Sequence, residues 1–231
     1  MRHSGGSVGR ADRIMSLKTA FDIVCFDCDS TLSRVEGIDE LAKRVGLGDE
    51  MAQLTDLAMN GQVALEEVYG ERLSLIRPDK EAIDWLSKKY IEELVDGAHE
   101  VIDKLLENNK QVHIISGGIR QAILPMAELL GLSSDRVHAV EVLYDDKGGY
   151  LGFDEESPLA RNGGKAEICR HLSNSQALLV MIGDGQTDLE SKQAGAYFIG
   201  FGGVVERESV VAEADHYIQG ASLLPLIDCL L

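Results

Sequence analysis

Short polar segments rich in aspartate, serine and glycine follow three apolar stretches of the chain. Residues 21–26 precede the segment DCDST, residues 112–115 precede SGG, and residues 177–182 precede GDGQTD. Because the carboxyl ends of parallel strands meet at one edge of an open α/β sheet, we expect these three segments to converge. Lys165 lies ahead of the third stretch and adds a cation to the same region.

Four aspartates fall within these segments: Asp27, Asp29, Asp184 and Asp188. Carboxylates gathered in one place do not all stay ionised unless a cation is present. Oxygen ligands suit a hard ion, and a site that also holds phosphate favours Mg²⁺. The aspartates therefore predict a magnesium site.

The other polar groups suit a phosphoryl group. Ser116 supplies a hydroxyl, the glycines after it allow backbone N–H groups to approach an anion, and Lys165 neutralises charge. Asp27 is the best candidate for a nucleophile that forms an aspartyl-phosphate. Asp29, two residues further on, is placed to protonate the leaving alcohol and later to activate water. Together these groups predict a phosphoryl-transfer site.

Each motif alone has an ordinary structural explanation. An isolated Asp-x-Asp caps a helix more often than it catalyses, Ser-Gly-Gly is usually a turn, and a single lysine is normally solvated. The phosphoryl-transfer interpretation depends on all the motifs occurring in this order, each after an apolar run.

The elements that position these residues predict an α/β fold. The near-continuous apolar runs are typical of parallel strands covered on both faces, and helical periodicity lies between them. We therefore predict a doubly wound, mostly parallel, Rossmann-like sheet. Residues 37–90 show only helical periodicity, and residues 140–153 resemble a β-hairpin around a Gly-Gly turn. The predicted core comprises residues 21–35 and 91–231, with residues 36–90 as an inserted helical module.

Composition narrows the classes of protein further. The chain has 231 residues, of which 45% are hydrophobic, and this excludes disorder as its main state. A net charge of −17 argues against nucleic acid or an anionic membrane as a partner. The apolar runs are too short to span a bilayer, and the four cysteines lack metal-ligand spacing, so we expect a soluble, cytoplasmic protein. Residues 1–20 are predicted to be a disordered extension.

The motifs DxDST, SGG, Lys and GDGxxD resemble the four signatures of the haloacid dehalogenase-like phosphatases. The similarity extends over FDCDSTLSRVEGIDELA, ISGGIR, MIGDGQTDLES and FIGFGG, and is greatest to the members that hydrolyse O-phospho-L-serine. The resemblance implies the same Mg²⁺-dependent reaction, the last step of serine biosynthesis, with the helical module as a cap over the substrate.

The resemblance also implies roles by position. Asp27 becomes the nucleophile and Asp29 the general acid/base. Mg²⁺ is held by the carboxylates of Asp27 and Asp184 and by the backbone carbonyl of Asp29, with Asp188 positioning the metal shell. The residues expected to bind the phosphoryl group are Ser116, Gly117, Lys165 and Thr187.

Arg72 lies on an apolar helical face with Leu65, Val68 and Leu75. From spacing alone, a structural salt bridge is the more common explanation, and a ligand carboxylate is the alternative. The resemblance favours the second, with Glu36 binding the substrate amine and Met59 lining the pocket. Leu65 and Asn60 depart from the phenylalanine and glycine that are common in the family, and both are expected to line the pocket.

Other functions remain open at this point. A related phosphatase or a phosphotransferase acts on another small phosphate ester with the same site. A receiver domain also combines acidic residues, Mg²⁺ and lysine, but has no need of Asp29 or a helical lid. A homodimer through the module or the hairpin is a further expectation.

Overall fold

The computed structural model describes residues 21–173 and 177–231; the predicted disordered extension lies outside them. Six strands form one sheet in the order β3-β2-β1-β6-β7-β8, and every neighbouring pair in it is parallel. Two further strands form an antiparallel pair, β4-β5. The predicted fold class is confirmed.

Strands and helices alternate along the chain except after β1, where five helices precede the next strand, and at β3, β4 and β5, which follow one another directly. The strands are β1 Phe21–Phe26, β2 Gln111–Ile119, β3 Val137–Val140, β4 Val142–Tyr144, β5 Tyr150–Phe153, β6 Leu178–Gly183, β7 Tyr197–Phe201 and β8 His216–Ile218. The α-helices are α1 Gly37–Arg44, α2 Gly48–Met59, α3 Leu65–Ile76, α4 Lys80–Glu92, α5 Ala98–Glu107, α6 Arg120–Leu129, α7 Gly164–Leu172, α8 Gln186–Leu189, α9 Glu208–Glu213 and α10 Pro225–Leu230.

The register of the central strands brings the polar segments together. Phe26 at the end of β1 is paired with Ile114 of β2 on one side and with Ile182 of β6 on the other. The segments that follow these residues therefore begin at the same edge of the sheet. The strand β2 was predicted to end at residue 115, but it continues to Ile119 with an irregular register.

Helices α1 to α4 form a helical insert, residues 37–92, between β1 and α5. The predicted helical periodicity is confirmed, and apolar side chains of all four helices join the buried core. The apolar face predicted around Arg72 includes an error, since Leu75 is 49% exposed. Periodicity identifies a helix face, but it does not show how far along that face a neighbouring element packs.

The predicted hairpin is β4-β5, whose loop contains Gly148 and Gly149, but the tight turn itself is centred on Asp146 and Lys147. At this turn the Asp145 carboxylate accepts hydrogen bonds from the backbone N–H groups of Lys147 and Gly149, both at 2.8 Å.

Across the described ranges, no helix is long and apolar enough to cross a membrane.

A buried histidine pair links β2 to β3. His113 Nδ1 lies 3.1 Å from His138 Nε2, and Arg136 donates to His113 Nε2 at 2.8 Å. Because an arginine only donates, His113 Nε2 must accept and its proton lies on Nδ1. Burial, followed by the charges of His138 and Arg136, lowers the pKa of His113 to about 4. This histidine is a core residue, only 4% exposed.

We predict that acid destabilises the fold through His113. The pKa of His113 is 6.5 in the unfolded chain and about 4 in the folded protein. As the pH is lowered, the unfolded state therefore takes up a proton at a higher pH than the folded state does. This one group should therefore reduce the free energy of unfolding by about 2 kcal/mol between pH 7 and pH 5. Urea denaturation of His113→Gln at both pH values should show a smaller decrease than wild type.

Exposed Leu151 provides the control, since Leu151→Gln introduces no titratable group and should keep the wild-type pH dependence. Equal decreases for wild type and His113→Gln would contradict the account.

Candidate active site

The predicted site residues converge on one enclosed cavity between the sheet edge and the helical insert. Ten of the eleven line it: Asp27, Asp29, Glu36, Met59, Arg72, Ser116, Gly117, Lys165, Asp184 and Thr187. The eleventh, Asp188, is fully buried behind the cavity wall and contacts Lys165. The convergence expected from the sheet topology is present.

Asp27 is held by one of its two carboxylate oxygens. Its Oδ1 accepts hydrogen bonds from the Cys28 backbone N–H at 2.7 Å and from Lys165 Nζ at 2.8 Å. Its Oδ2 has no hydrogen-bond partner within the described part of the chain. A buried carboxylate with one fixed and one free oxygen can attack an electrophile without being deprotonated first.

Lys165, the second residue of α7, lies between two carboxylates. Its Nζ is 2.6 Å from Asp188 Oδ1 as well as 2.8 Å from Asp27 Oδ1. Burial alone would lower the pKa of Lys165, but the charges of Asp188 and Asp27 raise it, so the lysine is cationic. Gly183 makes room for this pair, because a Cβ there would lie 2.2 Å from the Asp188 carboxylate carbon.

The donor set of the site fits a hard metal ion. Carboxylate oxygens of Asp27, Asp184 and Asp188 lie within 4.8 Å of one another, and all three residues are buried. Burial, followed by the charge of Asp27, raises the pKa of Asp184 to about 6. A cation at this position would relieve that cost, and oxygen-only donors are those that Mg²⁺ prefers.

Arg207 is a site residue that the sequence analysis missed. It is only 4% exposed, and its Nε donates to Asp184 Oδ2 at 3.2 Å. Its Nη1 also lies 3.5 Å from Asp56 Oδ1 on α2, so it connects the helical insert to the sheet edge. No local motif marks Arg207; the only available signal is a single arginine after the FIGFGG segment.

Asp29 has the environment of a general acid. Its Oδ1 accepts hydrogen bonds from the Gly37 backbone N–H and the Tyr90 hydroxyl, both at 2.7 Å. Burial, followed by the charge of Asp27, raises the pKa of Asp29 to about 7, and the two hydrogen bonds limit the rise. Such a carboxyl group is suited to both giving and taking a proton near neutral pH. Tyr90 was not predicted from the sequence.

The Ser-Gly-Gly segment forms another part of the cavity wall. Ser116 Oγ accepts from the Gly118 backbone N–H at 3.0 Å, and the Gly117 carbonyl accepts from the Tyr69 hydroxyl at 2.8 Å. The serine hydroxyl and the adjoining backbone therefore face the cavity in a fixed arrangement, as binding of an anion requires.

Arg72 on α3 also lines the cavity. It is 3% exposed and donates through Nη1 to Thr55 Oγ1 at 2.8 Å, while its Nε has no hydrogen-bond partner in the described part of the chain. Among the described residues no carboxylate forms an ion pair with it, so the structural salt bridge is not found. A buried guanidinium with an unused donor favours a ligand acceptor.

Glu36 lines the same cavity. Its carboxylate accepts a hydrogen bond from Ser30 Oγ at 2.7 Å. Burial, followed by the charge of Asp29, raises the pKa of Glu36 well above its usual range. A ligand cation would favour its ionised form.

Met59 and Leu65 complete the lining of the cavity, as predicted. Asn60 was also predicted to line it, but this residue is exposed at the end of α2 and is not part of the wall.

Asn162 joins the helical insert to the loop before Lys165. The α3 N-terminus has no capping side chain of its own, and the Leu65 backbone N–H donates to Asn162 Oδ1 at 3.0 Å. In return the Asn162 backbone N–H donates to Glu66 Oε2 at 3.0 Å. Asn162 thus caps a helix that is nearly a hundred residues away in the sequence.

Comparison with known proteins identifies the family. A family model described as haloacid dehalogenase-like hydrolase matches residues 24–191. The chain belongs to this family. The resemblance found in the sequence is therefore confirmed, and the polar segments at the strand ends are those of a haloacid dehalogenase-like hydrolase.

Several relatives of this hydrolase are named phosphoserine phosphatase. The Arabidopsis thaliana protein "Phosphoserine phosphatase, chloroplastic" is 40% identical over 217 residues, which are 92% of this chain and 74% of the relative. The Homo sapiens "Phosphoserine phosphatase" is 41% identical over 199 residues, which are 85% of this chain and 88% of the relative.

Solved structures show the same fold. A substrate-bound phosphoserine phosphatase complex is 25% identical with a TM-score of 0.78, and covers 92% of this chain and 100% of its own. A phospho-aspartyl intermediate analogue of phosphoserine phosphatase is 26% identical with a TM-score of 0.77 and the same coverage.

We predict that Asn162→Ala loosens the helical insert in this hydrolase. The substitution leaves the Leu65 N–H without its acceptor, and loss of such a cap costs about 1 kcal/mol. Amide hydrogen exchange should accelerate at the start of α3. Asn162→Asp keeps an acceptor oxygen and should exchange like wild type.

Unchanged exchange at residues 65–68 in Asn162→Ala would show that this contact does not hold the helix.

Proposed function

We propose that this chain is a phosphoserine phosphatase that converts O-phospho-L-serine and water into L-serine and phosphate. The relatives' names support the substrate. The single structural observation that carries the proposal is Arg72, a buried arginine with an unused donor in the same cavity as Asp27 and Lys165. A cavity that combines phosphoryl-transfer groups with a buried arginine and an acid matches a phosphate ester of an amino acid.

In the first step, Asp27 Oδ2 attacks phosphorus while Oδ1 stays bonded to Lys165 and the Cys28 N–H. The bond between phosphorus and the serine oxygen breaks, and its electron pair goes to that oxygen. Asp29 donates a proton to the same oxygen, so L-serine leaves as a neutral alcohol. The product on the enzyme is an aspartyl-phosphate at Asp27.

In the second step, water attacks the phosphorus of the aspartyl-phosphate. Asp29, now ionised, accepts a proton from the water, and the bond between phosphorus and the Asp27 oxygen breaks. Phosphate is released and Asp29 is protonated again. Its pKa of about 7 suits both directions of transfer, because neither protonation state is strongly disfavoured near neutral pH.

Asp27 and Asp184, with the backbone carbonyl of Asp29, would hold Mg²⁺, and Asp188 would position this set while pairing with Lys165. When bound, the ion supplies a positive charge that stabilises the phosphoryl oxygens. Lys165, Ser116, the Gly117 backbone and Thr187 would bind the remaining oxygens. The chain itself offers these four aspartates two buried cations, Lys165 beside Asp27 and Asp188, and Arg207 beside Asp184.

Arg72 and Glu36 would select an amino acid as the alcohol part of the substrate. Arg72 Nε is the donor for the substrate carboxylate, and Glu36 is the acceptor for its ammonium group. An ammonium group beside Glu36 stabilises the ionised carboxylate, and so opposes the rise in the pKa of Glu36 that burial causes. Met59 and Leu65 then contact the apolar side of the ligand.

The helical insert would act as a cap. The predicted boundary, residues 36–90, differs little from the helices, which end at Glu92. Exclusion of bulk water by this cap protects the first step from premature hydrolysis. We further propose that the reaction is the last step of serine biosynthesis. The cytoplasmic location and the homodimer stay predictions.

We predict that Arg72 determines the preference for phosphoserine. Loss of a buried charge-assisted contact costs about 3 kcal/mol, so Arg72→Ala should reduce kcat/KM for O-phospho-L-serine roughly 100-fold. p-Nitrophenyl phosphate has no carboxylate, and its kcat/KM should change little. Released phosphate is measured with Mg²⁺ for both substrates, and with phosphothreonine and sugar phosphates for comparison.

Arg44→Ala is the matched control, since Arg44 lies on the helical insert outside the cavity and stacks on Trp85. Equal losses on both substrates would remove Arg72 from substrate selection. A wild type that prefers a sugar phosphate would refute the proposed substrate, and phosphate transfer to an added alcohol would indicate a phosphotransferase.

A further inference from the structure

Both hydrogen bonds to Asp29 Oδ1 come from the ends of the helical insert. Gly37 is the first residue of α1, and Tyr90 lies in the last turn of α4. The Gly37 N–H and the Tyr90 hydroxyl each donate to this oxygen at 2.7 Å. The two segments that join the insert to the sheet therefore meet at one carboxylate oxygen.

The Tyr90 hydroxyl is tightly enclosed by its neighbours. The residue is 0% exposed. A Cβ on Gly37 would lie 2.1 Å from the hydroxyl oxygen, so a side chain at position 37 would displace it. The absence of a side chain at Gly37 gives the hydroxyl and the Gly37 N–H access to the same oxygen.

The second oxygen of Asp29 faces the phosphoryl-binding segment. Ser116 Oγ lies 3.5 Å from Asp29 Oδ2. A Cβ on Gly118 would lie 2.8 Å from the same oxygen, so the glycine allows this close approach. The leaving oxygen of a phosphate ester bound at Ser116 would therefore meet Oδ2 rather than Oδ1.

We propose that Tyr90 is a positioning residue that reserves Asp29 Oδ2 for proton transfer. Oδ1 accepts two hydrogen bonds, which occupy both of its lone pairs, so the transferable proton is carried by Oδ2. The inference rests on the proposed function, in which Asp29 protonates the leaving alcohol. As the ester bond breaks, the Oδ2 proton passes to the serine oxygen, and Oδ1 remains bonded to Tyr90 and Gly37.

Tyr90→Phe tests this role through the leaving group. Without the hydroxyl, the carboxyl group is free to rotate or to carry its proton on Oδ1, so protonation of an alcohol becomes less efficient. We expect kcat/KM for O-phospho-L-serine to fall roughly tenfold, the equivalent of one hydrogen bond. p-Nitrophenyl phosphate needs no proton on its leaving group, so its kcat/KM should change less than twofold.

The ratio of the two kcat/KM values is measured on one enzyme sample, so partial unfolding of the variant cancels. Tyr144→Phe is the matched control, because the buried Tyr144 hydroxyl has no hydrogen-bond partner and lies on the hairpin. It should keep the wild-type ratio.

A selective loss on phosphoserine supports the inference. Equal losses on both substrates would assign Tyr90 a purely structural role and overturn it, as would no loss on either. A wild type that releases no phosphate from O-phospho-L-serine overturns the proposed function and this inference together, whereas an active wild type with an unchanged ratio in Tyr90→Phe overturns the inference alone.

Discussion

The burial of several carboxylates around one lysine is the constraint on which the active-site structure depends. Asp27, Asp184 and Asp188 offer oxygens within 4.8 Å of one another, and Lys165 contacts only the first and third. Such a group is stable only when protons, cations or hydrogen bonds compensate its charge. The aligned strand ends, the absence of a side chain at Gly183 and the Arg207 contact all serve this compensation. The protein as a whole has a net charge of −17. A phosphate ester can therefore bind only where local cations, such as Lys165, outweigh the negative charge around it.

In the proposed mechanism the helical insert contributes to chemistry as well as to substrate selection. Arg72 and Met59 line the cavity, and Gly37 and Tyr90 at the ends of the insert donate hydrogen bonds to Asp29. Displacement of the insert would therefore alter substrate contacts and the orientation of the proton-transfer group at once. In the proposed mechanism, closure of the insert over the correct ligand would therefore complete the catalytic arrangement. Contacts of Asn162 and Arg207 connect the insert to the sheet edge at two separate points.

The sequence predicted most of the fold and most of the cavity lining for one physical reason. Buried parallel strands are continuous apolar runs, and a polar segment directly after such a run, as at Asp27 or Asp184, must lie at the sheet edge. Contacts between distant single residues have no such local pattern. Tyr90 and Asp29 are 61 positions apart, and nothing in the helical pattern around Tyr90 distinguishes its hydroxyl from that of any other buried tyrosine. The exposed Leu75 and Asn60 were misplaced because periodicity gives the orientation of a side chain but not the extent of the element that covers it.

The central claim is that Asp27 itself becomes phosphorylated during turnover. The most direct measurement is an acid quench during steady-state hydrolysis of ³²P-labelled O-phospho-L-serine, followed by proteolysis and mass spectrometry of the labelled peptide. The account predicts an acid-stable, hydroxylamine-sensitive phosphoryl group on Asp27 in wild type and none in Asp27→Asn, which should also be inactive. Label on another residue, or full turnover by Asp27→Asn, would contradict it.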